Sequence, residues 1–140
     1  MTTTIPHLRV ARPTNNIQRL LPFYRDALGL SVLGSFEDHQ GFDGIMLGFP
    51  NSAFHLEFTL QQGELAPPAP TKENLLVFYY PDQQEWQTIS NRFLQLGFEP
   101  VPSHNPYQGY SQSSNYARMI SSKALAGLAS NKRLALAKFL

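Results

Sequence analysis

The chain contains two similar segments, and this repetition constrains its fold more than any other feature. Residues 8–30 and 76–98 each have an extended apolar run, a proline (Pro13 or Pro81), an amphipathic helical pattern and a Leu-Gly pair. The two prolines are 68 residues apart, as are the two Leu-Gly pairs. Self-similarity at one fixed offset indicates two copies of a supersecondary unit. We therefore predict two related modules, each opening with a strand and a helix.

Length and composition are those of an ordinary globular protein. The 140 residues suffice for one compact domain with a hydrophobic core, and 42% of them are hydrophobic. Cysteine is absent, which excludes disulfides, thiolate metal sites and cysteine nucleophiles. The chain does not start with a cationic region followed by an apolar stretch, and no apolar run approaches the length of a membrane span. We therefore expect a cytoplasmic protein that has no membrane partner.

The first module, residues 5–60, is predicted to be a β-α-β-β-β unit. Leu8 and Val10 are expected to share one face of its first strand, and His7 and Arg9 the other. Further strands are predicted over residues 30–37, 42–49 and 53–60.

A helix is predicted between the first and second strands of this module. Thr14 or Asn15 can cap it, because a side-chain oxygen at that position accepts a free amide hydrogen. Pro22 should bend it, and Gly29 should end it in the left-handed conformation.

The second module, residues 72–110, begins in the same way after a proline-rich linker over residues 61–71. An apolar run predicts a strand over residues 75–80, and a further strand is predicted over residues 98–101. Between them, Trp86 lies on an apolar helical stripe that is typical of a core-facing helix.

Residues 111–140 differ in character from the rest of the chain. Five Lys or Arg and no Asp or Glu fall within residues 100–140. Apolar residues recur there at helical spacing, and alanine and leucine favour helix. We predict a basic helical tail after an incomplete second sheet. The tail could cover that sheet, a partner chain could complete it, or residues 108–115 could add one short strand before the helix. The cations are not interleaved with aromatic residues, so we expect no nucleic-acid partner.

Two motifs link this organisation to a known group of proteins. Residues 23–30 read FYRDALGL, and the first module closes on His55-Leu56-Glu57. With the paired modules, they resemble the vicinal oxygen chelate superfamily, which includes glyoxalase I, extradiol dioxygenases, and fosfomycin and bleomycin resistance proteins. The resemblance covers about residues 5–107. It implies an α+β fold in which paired β-α-β-β-β modules form curled mixed sheets around a cavity. The second module would be incomplete and followed by the helical tail.

The resemblance also implies a place for a metal ion. Enzymes of the superfamily hold a divalent metal with ligands on the first and last strands of each module. Glu57 matches the carboxylate that closes a module, but Ile5 and Leu75 stand where histidines are normal, and no carboxylate follows Glu99. This pattern implies a protein without a metal or other cofactor. The alternative is a divalent metal held by His7, His55 and Glu57.

The candidate ligand contacts fall into three groups. The predicted concave face carries polar candidates, which are His7, Arg9, His55 and Glu57. Apolar surface would come from Phe42, Met46 and Tyr79. A loop at the cavity mouth would supply His104 and Tyr107. Plainer interpretations are a core position for the aromatic residues, a surface turn at the loop, and an Arg9–Glu57 ion pair, which could also hold an anionic ligand.

These observations lead to three hypotheses about function, none of which assigns a catalytic residue. The first is metal-independent binding of a small apolar or anionic molecule by a homodimer, as in the resistance and sequestration members of the superfamily. The second is a metal-dependent lyase, dioxygenase or thiol transferase that uses the alternative ligand set. The third is an assembly protein that interacts through the tail helix.

Overall fold

A computed structural model describes residues 3–67 and 76–98, together with the backbone of residues 99–100, 117–121 and 133–137. The chain divides into two compact units. The first unit is Met1–Pro67 and the second is Pro68–Leu140.

The first unit contains a four-stranded mixed sheet with the strand order β1-β4-β3-β2. The strands are β1 (Leu8–Pro13), β2 (Ser31–His39), β3 (Phe42–Gly48) and β4 (Phe54–Gln61). β1 runs parallel to β4, and the other neighbours are antiparallel. The predicted strands of this unit are therefore confirmed, although the first covers Leu8–Pro13 whereas the sequence pattern placed it at residues 5–10. The mixed sheet places β4, with its His-Leu-Glu motif, between β1 and β3.

Pro22 divides the helical segment that links β1 to β2. A 3-10 turn covers Gln18–Leu20, and a π-helical segment covers Pro22–Ala27. Proline cannot donate the hydrogen bond that a continuous helix needs, and its ring clashes with the preceding turn. Thr14, one of the two predicted caps, accepts from the Asn16 amide through Oγ1 at 3.2 Å, and Asn16 Oδ1 accepts in turn from the Arg19 amide at 3.1 Å.

The helical segment packs on one face of the first sheet and forms the core of this unit. The ring of Tyr24 lies 4.8 Å from the ring of Phe58 on β4, and both side chains are almost fully buried. Ile45 and Leu47 on β3 pair with Phe58 and Leu56 and are buried on the same face. Alternation along the strands therefore sends every second side chain of β3 and β4 to the opposite face.

The second unit is also α+β. Its elements are β5 (Leu76–Tyr80), α1 (Gln83–Gln95), β6 (Glu99–Pro100), β7 (Ala117–Ser121) and β8 (Arg133–Ala137). The sheet order is β5-β7-β8-β6. Asp82 caps α1 by accepting from the amides of Gln84 and Glu85 at 2.7 and 3.0 Å. Trp86 and Phe93 lie on the buried face of α1, so the interpretation of Trp86 as core is confirmed.

Both Leu-Gly pairs end their helical segments as predicted. Gly29 has a φ of 87° and Gly97 a φ of 80°, in the left-handed region that favours glycine. The chain then turns back, and the amide of Phe98 donates to the carbonyl of Phe93 at 2.9 Å.

The prediction of a helical tail is wrong for the two tail segments that the structure describes. Both β7 and β8 lie within residues 111–140, and they supply the two inner strands of the second sheet. The described strands of the second sheet therefore extend beyond residue 110. Helix propensity differs by only fractions of a kcal/mol per residue. Strand pairing satisfies the backbone donors and acceptors along β5, which outweighs that preference.

Within the described ranges, no helix is long and apolar enough to cross a membrane.

Candidate functional site

The first sheet has a second face, opposite the helical segment, which we call the open face. It carries His55, Glu57 and Thr59 from β4, because Leu56 and Phe58 point to the core. The register places Arg9 beside His55, and His7 contacts His55. The structure thus brings the four polar candidates of the first module together, as the alternation in the sequence predicts.

An ion pair links the two strands across the open face. Arg9 Nη1 lies 2.8 Å from Glu57 Oε2, and the Glu57 side chain is only 12% exposed whereas that of Arg9 is 55% exposed. Glu57 Oε2 has no aligned hydrogen-bond donor among the described residues, so the contact is chiefly electrostatic. The guanidinium charge therefore compensates a carboxylate that would otherwise be costly to bury. The plainer interpretation of these two residues as an ion pair is confirmed.

The same guanidinium begins a hydrogen-bond chain through two histidines. Arg9 Nε donates to His55 Nε2 at 2.9 Å. An acceptor at Nε2 requires neutral His55 to carry its proton on Nδ1, which lies in contact with His7 Nε2. His55 therefore donates to His7, and the chain is complete only while both imidazoles are neutral.

The environment of His55 opposes its protonation. Loss of hydration and the neighbouring charges of His7 and Arg9 lower the pKa of His55 below its ordinary value of 6.5, while Glu57 partly opposes them. The hydrogen-bond geometry has the same consequence, because a protonated His55 can no longer accept from Arg9.

We expect the stability of the first unit to fall as the pH is lowered below about 6.5. Unfolded His55 binds a proton near that pH, whereas folded His55 does so only at lower pH. Stability contributed by neutral His55 is therefore present above pH 6.5 and is lost toward acid. Unfolding midpoints between pH 7.5 and pH 5 in wild type and His55→Asn measure this loss. A matched control is His39→Asn, on the exposed end of β2. An unaltered pH dependence in His55→Asn would contradict the assignment.

Beside the charged cluster, the open face becomes apolar. Met46 on β3 pairs directly with Glu57, and Phe36 on β2 pairs with Gly44. A β-carbon at Gly44 would lie 2.3 Å from Phe36 Cζ, so the ring lies directly over this glycine. Met46 Cε covers Gly34 in a similar way.

Leu33 extends this apolar area. A β-carbon added to Gly48, which lies on the open face, would be 2.9 Å from Leu33 Cδ1, so the Leu33 side chain covers this glycine. We call Leu33, Phe36 and Met46 the apolar shelf. The glycines beneath the shelf, Gly44 and Gly48, lie within β3, and the sequence analysis did not identify them as part of the site. Their two-residue spacing with Met46 was the available signal, since it places all three on one face.

The remaining candidates are not part of this cluster. Phe42 is on the same face of β3, but it pairs with Gln61, three pairs along the face from His55. Tyr79 belongs to the second unit, where its side chain is 56% exposed. His104 and Tyr107 lie outside the described residues. The structure therefore joins Met46 to the polar group and does not join Phe42 to it.

The cluster does not fit a divalent metal ion. In the part of the chain that the structure describes, no group of three or more His, Asp or Glu side chains is arranged to hold one. Arg9 is bound to Glu57 Oε2 and to His55 Nε2, and the other ring nitrogen of His55 contacts His7. A metal at this position would need those same lone pairs, and it would lie against the positive guanidinium.

Comparisons with known proteins agree on one family. The model of the YycE-like N-terminal domain matches residues 8–59, and that of the YycE-like C-terminal domain matches residues 73–113. The uncharacterized protein YycE of Bacillus subtilis (strain 168) is 40% identical over 100 residues, which cover 71% of this chain and 72% of that protein.

A solved structure shows the same likeness in three dimensions. It is a crystal structure of a YycE protein of unknown function from Bacillus subtilis, proposed in its description to be a glyoxalase/fosfomycin resistance protein. The two structures share 31% sequence identity with a TM-score of 0.72, over 96% of this chain and 91% of the other. The similarity therefore extends well beyond the first module.

Proposed function

The chain belongs to the YycE-like family, whose fold is that of the vicinal oxygen chelate superfamily, and on this premise we propose that it binds a small molecule without a metal ion. The proposal places the protein with the resistance and sequestration members of the superfamily rather than with its metal enzymes. Its binding surface would be the open face of the first sheet. The expected homodimer and the cytoplasmic location are part of the same proposal.

The observation that carries the proposal is the position of the Arg9 guanidinium. It supplies the positive charge beside Glu57, the one residue that matches a ligand of the superfamily's metal enzymes. A guanidinium remains charged at all physiological pH values and cannot be removed by a chelator. The charge beside Glu57 is thus a permanent part of the chain, and a ligand can meet it without a metal.

The arrangement also favours binding over chemistry. His55 directs one nitrogen at Arg9 and the other at His7, so neither is free to take a proton from a substrate. The Glu57 carboxylate is already in ion-pair contact with the Arg9 guanidinium. The residues of the cluster therefore hold one another in place beside the apolar shelf.

Titration calorimetry with Zn²⁺, Mn²⁺ and Ni²⁺ tests metal independence. We expect none of the three ions to form a stoichiometric complex with the wild-type protein, because Arg9 engages the lone pairs that they require. Glu57→Ala should give the same result. A tight complex with one ion per chain that is lost in Glu57→Ala would overturn the proposal. That result would establish the alternative of a metal-dependent lyase, dioxygenase or thiol transferase.

A further inference from the structure

We infer that the ligand is a small amphipathic oxyanion, whose carboxylate or phosphate group meets Arg9 while its apolar body lies on the shelf of Leu33, Phe36 and Met46. This inference rests on the proposed function and names the chemical class of the ligand. It follows from the unused donors of Arg9, from the charge balance around them, and from the shape of the neighbouring surface.

Arg9 has hydrogen-bond donors to spare. A guanidinium carries five N–H groups. Nε uses its hydrogen for His55, and Nη1 lies in ion-pair contact with Glu57. The second N–H of Nη1 and both of Nη2 have no protein acceptor among the described residues. With its side chain 55% exposed, Arg9 can donate to two oxygens of one oxyanion without releasing either protein partner.

The placement of charge in the cluster favours an anion, although Arg9 and Glu57 together carry no net charge, because the guanidinium is the more exposed of the two. Glu57 is the carboxylate in contact with Arg9, and it is mostly buried. The two imidazoles are neutral while the hydrogen-bond chain is intact. The outward side of the cluster therefore presents N–H donors, so a cationic ligand would meet the wrong charge and a neutral ligand would forgo the ionic contribution.

The apolar shelf begins beside these donors. Met46 pairs with Glu57 on the neighbouring strand, and adjacent strands lie about 4.8 Å apart. Phe36, on β2, is one strand further from Arg9. The glycines beneath the shelf have no β-carbons, which lets its side chains lie flat. A ligand with a flat apolar body roughly 10 Å long would span from the guanidinium to the Phe36 ring.

Binding of 2-naphthoate and of its neutral amide, 2-naphthamide, tests this inference. Both have the same flat body, and they differ chiefly in charge. In buffer containing EDTA, we expect 2-naphthoate to bind with one site per chain and 2-naphthamide to bind about 10-fold to 100-fold more weakly. Inorganic phosphate, which has the charge without the apolar body, should compete weakly for the same site. Equal affinity for the acid and the amide, or no binding of 2-naphthoate, would overturn the inference.

Variants of Arg9 separate its role from a general charge effect. Arg9→Gln should lower the affinity for 2-naphthoate to that for the amide. Arg9→Lys should give an intermediate affinity, because lysine keeps the charge and loses the planar donors. Arg12→Gln is the matched control. It removes the same charge from β1, on the opposite face, where Arg12 Nη1 donates to the Ala11 carbonyl. An equal loss in both neutral variants would refute a specific contact at Arg9.

A change beneath the shelf tests the apolar half of the ligand. Gly44→Ala places a methyl group where the Phe36 ring lies and should push the ring off the sheet. We expect this substitution to lower the affinity for 2-naphthoate several-fold and to leave the affinity for phosphate unchanged. Equal effects on both probes would place the apolar body elsewhere and refute this half of the inference.

The metal dependence of binding distinguishes failure of this inference from failure of the proposed function. If the amide and the acid bind equally well in EDTA, the oxyanion assignment fails while metal-independent binding remains supported. If 2-naphthoate binds only after a divalent metal is added, the proposed function and the inference both fail.

Discussion

Replacing Phe58 by alanine is expected to lower the free energy of unfolding by about 3–5 kcal/mol, the range typical for deletion of a large core side chain. Phe58 is 1% exposed and lies on β4, between β1 and β3. Its ring contacts the fully buried ring of Tyr24, which joins the helical segment to the sheet. Alanine would leave a cavity at this junction that the surrounding strands cannot close.

Urea unfolding followed by far-ultraviolet circular dichroism measures this effect. The chain has one tryptophan, Trp86, and it lies in the second unit, so its fluorescence is a poor monitor of the first. Phe42→Ala is the matched control, because Phe42 is 37% exposed in the same sheet and should cost about 1 kcal/mol or less. Equal losses in the two variants would contradict the assignment of Phe58 to the core.

Replacing Tyr80 by phenylalanine is expected to remove an alkaline loss of stability from the second unit. Burial and the nearby Glu85 carboxylate raise the pKa of Tyr80 to about 12, from an ordinary value of 10. Above pH 10 the unfolded chain loses this proton while the folded chain retains it, so unfolding becomes more favourable up to about pH 12. The stability that the protonated Tyr80 hydroxyl contributes is therefore present below pH 10 and is lost between pH 10 and about pH 12.

The expected loss is on the order of 1–2 kcal/mol, since nearby solvent screens part of the effect. The Tyr80 hydroxyl has no hydrogen-bond partner among the described residues, so Tyr80→Phe should also be at least as stable as wild type at pH 8. Trp86 fluorescence during urea unfolding at pH 8, 10 and 11.5 measures both effects. Tyr79→Phe, at an exposed neighbouring position, should retain the wild-type pH dependence. A similar pH dependence in Tyr80→Phe and wild type would contradict this account.

Much of the first unit could be predicted because its sequence pattern is local. A two-residue alternation assigned Leu56 to the core and His55 and Glu57 to the other face, and the structure agrees. The helix stops at Gly29 and Gly97 were predictable because a left-handed residue is cheap only for glycine. The cap was only partly predictable, since three neighbouring side chains can accept an amide hydrogen. Thr14 and Asn16 do so at the start of the helical segment, whereas Asn15 accepts from the distant Ala66 amide.

The tail could not be predicted in the same way. Its alanine and leucine residues favour helix in isolation, yet residues 117–121 pair with β5 and residues 133–137 pair with β6. Such pairings join segments far apart in the chain, and no local pattern records them. They depend on the unsatisfied backbone groups of the strands already in place.

The sequence was sufficient to establish the family, the β-α-β-β-β order of the first module and the face on which each polar candidate lies, because these depend on local spacing and on short motifs. It could not establish what Glu57 does, since a carboxylate at that position is equally suited to a metal ion and to an arginine. The parallel pairing of β1 with β4 brings Arg9 against Glu57 and His55, and this contact is what supports the proposal of an arginine in place of a metal ion. The contact between Arg9 and His55 joins residues that are 46 positions apart in the chain, and only the folded sheet brings their side chains within reach of each other.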